Sequence, residues 1–248
     1  MNRIISACLL LGFIFSNSPI ANAADVKILI ITGGCCHDYK YQTEAIQEAF
    51  EEQKIEVDWK VVDDGGKGTK AQIDLYDDPD WAKGYDVVIH NECFANTTDE
   101  DYIKRITAAH KSGVNAVVIH CAMHTYRASK VDDWREFLGV TSRRHDHQAN
   151  YPVKVVEPNH IIMKDFPSNW VTPKDELYII ETVWPSAKPL ATSNSENDGS
   201  SHPCFWINEY GKSRVFGTTY GHSNETFADA NFRRVLVRGA LWAAGKLK

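Results

Sequence analysis

The sequence predicts an α/β fold: a three-layer α/β/α sandwich around a mostly parallel central sheet. Three observations carry the prediction. Residues 85–119 read strand, helix, strand; several short apolar runs stop abruptly at glycine or at reactive polar residues; and the chain closes on an amphipathic helix.

In chain order, residues 26–31 form a nearly continuous apolar run that stops at Gly33-Gly34, the pattern of a strand buried on both faces. Residues 43–53 follow a helical spacing, with Ile46 and Phe50 four apart, and residues 57–61 alternate like a strand. Residues 63–70 are polar and glycine-rich, a loop. The strand at 85–89 leads to a helix with an acidic first turn and Thr98 as its cap, faced inward by Ile103 and Ile106 and ended at Ser112-Gly113. The strand at 114–119 completes a βαβ unit, which requires parallel pairing and a right-handed crossover. Further strands are expected at 153–156, 176–180, 204–207 and 214–218, the last two joined as a hairpin through Gly211. A helix over 228–244 presents Phe232, Val235, Leu236, Gly239 and Trp242 on one face and ends at Gly245. The polar stretch 193–201 is too short to divide domains, so residues 24–248 are expected to form one domain.

The first 23 residues read as a secretory leader. Arg3 supplies a positive charge, residues 4–15 an apolar run, and Ala21-Asn22-Ala23 an A-x-A cleavage signature. The run is too short to span a membrane, and Cys8 stands too early for a lipoprotein box. A periplasmic or secreted protein without a membrane anchor is therefore expected. The net charge is −6 over 248 residues, and the leader contributes one arginine and no acid. An acidic balance argues against nucleic acid or an anionic membrane as partner and is compatible with a neutral sugar. Beyond Cys8 the cysteines are Cys35, Cys36, Cys93, Cys121 and Cys204, an odd number that leaves at least one thiol unpaired or pairing between chains. Adjacent Cys35 and Cys36 are not expected to bond to each other.

Open parallel sheets bind ligands beyond the carboxyl ends of their strands. Three of the expected strands run into Cys35-Cys36-His37-Asp38, His90-Asn91-Glu92-Cys93 and His120-Cys121-Ala122-Met123-His124. A later strand runs into Thr219-Tyr220-Gly221-His222 and contributes from the side. His120 sits where a strand turns into the next segment, a place for a general base, an acid or a metal ligand. His124, four residues on, shares a face with His120 if the segment is helical; a third ligand for a divalent ion would then come from His37, Asp38, His222 or Glu225. The acid of an H-E-x-x-H motif is absent, and a polar pocket without a resident metal is the expectation, a divalent ion the alternative. Residues 143–147 (Arg-Arg-His-Asp-His) are a charged loop within reach of the pocket. G-x-S-x-G, G-x-G-x-x-G and P-loop spacings are all missing, which removes the corresponding hydrolase and nucleotide-binding readings.

Several segments together resemble the ThuA-like (trehalose utilisation) family: Ile30-Ile31-Thr32-Gly33-Gly34 with His37 after it, Tyr85-Asp86-Val87-Val88, Ile119-His120-Cys121-Ala122-Met123-His124-Thr125, Asp175-Glu176-Leu177-Tyr178, Gly217-Thr218-Thr219-Tyr220-Gly221-His222, and Gly239-Ala240-Leu241-Trp242. The chain departs from the family pattern at Ile119, where glycine is common, and at Cys121, where alanine is. The resemblance implies a flavodoxin-like, class I glutamine amidotransferase-like fold without the cysteine nucleophile, and a role in sugar utilisation, including oxidised (3-keto) disaccharides. The expectation is an enzyme acting on a glycoside or 3-keto-sugar, with His120 and His222 exchanging protons and His37, Asp38, Asn91, His124 and Arg127 binding the carbohydrate. The alternatives are a non-catalytic carbohydrate-binding domain and a metal-dependent hydrolase.

Overall fold

The computed structural model describes residues 25–247; the expected leader and its cleavage point lie outside the described residues. Among the described residues no helix is long and apolar enough to cross a membrane.

The chain opens with β1 (Val26–Gly34), α1 (Tyr39–Glu52), β2 (Val57–Val62), β3 (Val87–Cys93), α2 (Glu100–Ser112) and β4 (Ala116–Ile119). It continues with α3 (Asp133–Leu138), β5 (Val140–Ala149), β6 (Lys154–Val155), β7 (Asp175–Val183), β8 (Ala187–Asn194), β9 (Ser201–Tyr210) and β10 (Ser213–Thr218), and closes with α4 (Asn224–Ala228) and α5 (Ala230–Ala243). Eight strands form one sheet in the order β2-β1-β3-β4-β10-β9-β8-β6, while β5 and β7 pair separately. The run from β2 to β10 is parallel; β9, β8 and β6 continue it antiparallel.

The layering follows from the period-two alternation of buried strands. Ile28 and Ile30 of β1 face one side with Val117 of β4, and there α1 (Ala45, Phe50) and α5 (Phe232, Val235) cover them. Leu29 and Ile31 face the other side with Val118, under α2 (Ile103, Ile106) and α3 (Trp134, Phe137). Each fully buried side chain of this size contributes about 1.5–3 kcal/mol. The three-layer α/β/α arrangement with a mostly parallel sheet is thus the one expected, as is the β9–β10 hairpin turning at Gly211.

Differences lie mainly at the polar segments. α1 starts at Tyr39 rather than at residue 43, because the Asp38 carboxylate accepts from the Tyr41 N–H (3.2 Å) and caps it. The cap of α2 is Asp99, accepting from Tyr102 N–H (3.0 Å), and not Thr98. Asp229 interrupts the closing helix by accepting from Asn231 and Phe232, which leaves α4 as a separate turn. The charged segment 143–147 is strand and not loop: it lies within β5, whose register against β7 is broken by bulges. Those bulges remove the alternation by which a strand is recognised. The strand β10 lies in the sheet directly beside β4, so its end joins the same edge as the others rather than approaching from the side.

Candidate functional site

The parallel strands β1, β3, β4 and β10 all end at one edge of the sheet. Past their ends three imidazoles meet. The His37 ring lies 4.8 Å from that of His120 and 4.9 Å from that of His222, and His120 lies 5.4 Å from His222, centroid to centroid. Residues from the ends of β1, β4 and β10 are therefore neighbours in space.

His120 occupies a sharp turn. Its φ of +46° is left-handed, which costs a non-glycine residue about 1–3 kcal/mol and marks a position held by its surroundings. The Nδ1–H donates to the Thr219 carbonyl at 2.6 Å, so the lone pair sits on Nε2. That nitrogen lies 3.5 Å from the Tyr178 hydroxyl and 3.7 Å from Glu176 Oε2. Burial, then the neighbouring His37, push the His120 pKa well below the usual range and keep the ring neutral. The ring is 1 % exposed and sits behind His37, His222 and Tyr178, not in the cavity wall.

His222 is placed by a carboxylate on another strand. Asp175, at the start of β7 and fully buried, accepts from the backbone N–H of Gly221 (3.0 Å) and His222 (3.2 Å) and from the Thr226 hydroxyl (2.5 Å). Burial raises its pKa to about 6, against the pull of those hydrogen bonds. Gly221 has φ +130°, and a Cβ there would stand 2.9 Å from Ile119 Cγ2, so the end of β10 can approach the His120 turn only as glycine. Gly34 has the same constraint: a Cβ would meet the Cys93 carbonyl at 2.4 Å.

Along β7 the alternation sends Asp175 and Leu177 toward the core and Glu176 and Tyr178 toward the histidines. Glu176 Oε2 lies 3.2 Å from His222 Nδ1 and 3.4 Å from His145 Nδ1. The contact to His222 is within ion-pair distance but off the line of a hydrogen bond, leaving Nδ1 buried without a hydrogen-bond partner. Burial pushes the Glu176 carboxyl upward, but His222 and His145 outweigh it and hold the pKa below the usual range. Contact with Glu176 in turn raises His222. Burial, then the charge on His222, lower His37 to about 4.

A cavity of about 280 Å³ opens over this group, lined among others by His37, His124, Arg127, His145, Glu176 and His222. His124 stacks on Tyr178 at 4.1 Å and reaches Ser142 Oγ at 3.3 Å. Tyr178 also packs against His120 at 4.7 Å, so it separates His120 from His124, and the two do not form the metal-ligating pair that the alternative reading required. Arg127 donates to the Arg143 carbonyl at 2.9 Å, its guanidinium at the cavity wall. Two residues expected to bind substrate are held elsewhere. Asn91 donates to Gln42 Oε1 (3.0 Å), whose amide holds the Gly221 carbonyl (3.1 Å), so it braces the site from behind. Asp38 caps α1, accepts from Asn224 (3.1 Å), and lines an adjoining cavity. Glu225 is exposed in the first turn of α4. Cys35 and Cys36 are disulfide-bonded, contrary to expectation, with Cys93 Sγ 3.8 Å from Cys35 Sγ. Contact with Cys93, then burial, hold the Cys121 thiol well above its usual range, which removes it as a nucleophile.

Asp175, Glu176 and Tyr178 were not among the expected site residues. The available signal was an acidic pair opening an apolar strand, Asp175-Glu176-Leu177-Tyr178-Ile179-Ile180, where a merely structural strand has no use for buried charge.

The model of the ThuA family, described as trehalose utilisation, matches residues 27–243. Comparison with curated proteins gives no match. Among solved structures the chain is similar to a ThuA-like protein from Parabacteroides merdae, with TM-score 0.70, 22% identity, and 90% of this chain and 91% of that one covered. It is similar also to a ThuA-like protein from Bacteroides uniformis, with TM-score 0.71, 18% identity and coverage of 94% and 96%. A β-galactosidase from Rahnella sp. R3 shares the fold over 86% of this chain and 31% of that one, with TM-score 0.54 and 17% identity. With the family match spanning nearly all the described residues, the chain belongs to the ThuA-like family of trehalose utilisation.

Proposed function

We propose that the protein is an exported enzyme of carbohydrate utilisation that acts on a glycoside or 3-keto-sugar, with protons moved by Glu176 and His222. The observation that carries this reading is the position of Glu176: a largely buried carboxylate 3.2–3.7 Å from nitrogens of His120, His145 and His222 at the floor of a cavity. Two titratable groups in ion-pair contact that line the same wall can take a proton from a sugar hydroxyl, or from a carbon beside a carbonyl, and return it to a leaving oxygen. His120 acts through them as a positioning residue, since its fixed tautomer sets the polar floor beneath Glu176 and Tyr178. The volume is of the order of one sugar ring, and His37, His124 and Arg127 in the cavity wall supply polar groups for its hydroxyls. Family membership supports the substrate class, and the charged, apolar and small-residue order of residues 1–23 supports export.

The experiment is turnover of 3-keto-glucosides and of unmodified disaccharides by the native protein and by Glu176→Gln. The variant is expected to lose roughly 10²–10⁴ in rate. Equal rates, or no turnover of any sugar by the native protein, would overturn the reading. Export is tested by the mass of the protein recovered outside the cytoplasm, expected to begin at Ala24.

A further inference from the structure

We propose that His37, His120 and His222 form a site for a zinc-like divalent transition metal, with its fourth position open toward Glu176 and the cavity. This deepens the enzymatic reading and rests on the same cavity, but it is argued from the ligand geometry alone.

One nitrogen from each of the three rings lies within 4.8 Å of the other two. In two of the rings the second nitrogen is already committed to a backbone carbonyl: His120 Nδ1 to Thr219 O at 2.6 Å, and His37 Nδ1 to His222 O at 3.3 Å. Carbonyl contacts of this kind fix the tautomer and orientation of metal-binding imidazoles, and here they leave Nε2 of both rings as the lone pair. The third ring offers its other nitrogen. His222 Nε2 lies 2.7 Å from the side-chain amide of Gln148. The amide nitrogen donates to Nε2, which leaves Nδ1, 3.2 Å from Glu176 Oε2, as the atom a metal would take in place of its proton. Nδ1 is buried, and its contact with Glu176 Oε2 lies off the line of a hydrogen bond, so the lone pair a metal needs is not tied up in one. Three neutral imidazoles with an open fourth position are the donor set of catalytic zinc sites.

The fit requires modest movement. Metal–nitrogen bonds of about 2.0–2.1 Å in a tetrahedron place ligand nitrogens roughly 3.3 Å apart. Side-chain rotation of the partly exposed His37 and His222 can close the gap around the fixed His120. Glu176 Oε2, at 3.7 Å from His120 Nε2 and 3.2 Å from His222 Nδ1, then stands beside the fourth position. With the three rings engaged as ligands, Glu176 alone receives the proton released by a water or sugar hydroxyl held there. The neighbouring sulfur group of Cys35, Cys36 and Cys93 does not compete, because two of its three sulfurs are joined in a disulfide and cannot ligate as thiolates.

The test uses the purified chain, stripped with a chelator and titrated with Zn²⁺ by calorimetry and with Co²⁺ by visible absorption, with no sugar present. One equivalent of Zn²⁺ is expected, together with the intense absorption of tetrahedral Co²⁺. His37→Gln and His222→Gln, at partly exposed positions, are expected to weaken binding at least about 100-fold. His147→Gln, whose ring is surface-exposed and paired with Glu196, should leave it unchanged. Absence of stoichiometric binding, or binding equal in the two ligand variants and the native chain, would overturn the metal site. The outcomes for the two readings separate. Zinc uptake without turnover of any sugar removes the carbohydrate reading and keeps the metal site, whereas sugar turnover that persists after full chelation, with no zinc uptake, does the reverse.

Discussion

Asp175→Asn should destabilise the protein through the segment that carries His222. The carboxylate accepts four hydrogen bonds, from the N–H groups of Glu176 (2.7 Å), Gly221 (3.0 Å) and His222 (3.2 Å) and from the Thr226 hydroxyl (2.5 Å). An asparagine of the same shape offers one oxygen, which accepts two donors at most, and turns an NH₂ toward the others. Two buried donors lose their acceptor, at about 1–3 kcal/mol each. Relief from burying a charge, visible in the Asp175 pKa of about 6, offsets part of the loss. A net cost of about 2–4 kcal/mol follows. For a chain of this size each kcal/mol lowers Tm by about 2–4 °C, so a drop of roughly 5–15 °C is expected in thermal unfolding followed by circular dichroism. Thr226→Val removes one donor and keeps the acceptor, and should cost about 1 kcal/mol or less. A Tm for Asp175→Asn within about 1 °C of the native value would refute the claim that this carboxylate anchors the end of β10.

Other perturbations give further checks. Gly221→Ala drives a methyl against Ile119 at a backbone angle alanine resists, and should cost about 2–3 kcal/mol in denaturant unfolding; a neutral result would mean the turn is not tightly packed. His124 is held to about 3, by burial first and then by the charge of Arg127. A histidine lowered in the folded state adds stability that is complete above the unfolded value of 6.5 and fades as pH falls toward 3, at about 1.4 kcal/mol per pH unit. The native protein should therefore lose roughly 2 kcal/mol on this account between pH 6.5 and 5, and His124→Gln should flatten that slope by nearly one proton; equal slopes would dispose of the assignment. Arg127→Gln should raise KM about tenfold with kcat little changed, as for a group that binds ground state and transition state alike; a fall in kcat alone would place it in the chemistry instead.

The fold was legible where burial dictates sequence. Val26–Gly34 and Ala116–Ile119 are inside the sheet, both faces of each strand need apolar residues, and the runs are plain in the chain. Sequence could also place His37 and His120 at one edge, because parallel pairing leaves no other arrangement for the ends of β1 and β4, but it left His222 to approach from the side, since only the fold inserts β10 next to β4. It could not show that Tyr178 would part His120 from His124, or that Glu176 would stand among the rings. Both residues come from β7, which pairs only with the bulged β5 outside the main sheet, and no alternation in either strand reports that contact. Asp38 and Asn91 show the converse. A polar side chain at the right edge was taken up by helix capping and by bracing, because backbone N–H and carbonyl groups there needed partners.

The strand β10 is the last of the described strands in chain order, yet it is inserted in the middle of the sheet, between β4 and β9. Until residues 213–218 arrive, β4 has a bare hydrogen-bonding edge, and both the carbonyl that orients His120 and the backbone that bears His222 are absent. A nascent or truncated chain can thus hold β1 to β9 and α1 to α3 and still lack the contacts that set His120 and His222. The contact that orients His120 closes only when β10 docks across almost a hundred residues of intervening chain, so folding is expected to be slow for a domain of this length, and the unfinished form to be the one most exposed to sticking edge to edge.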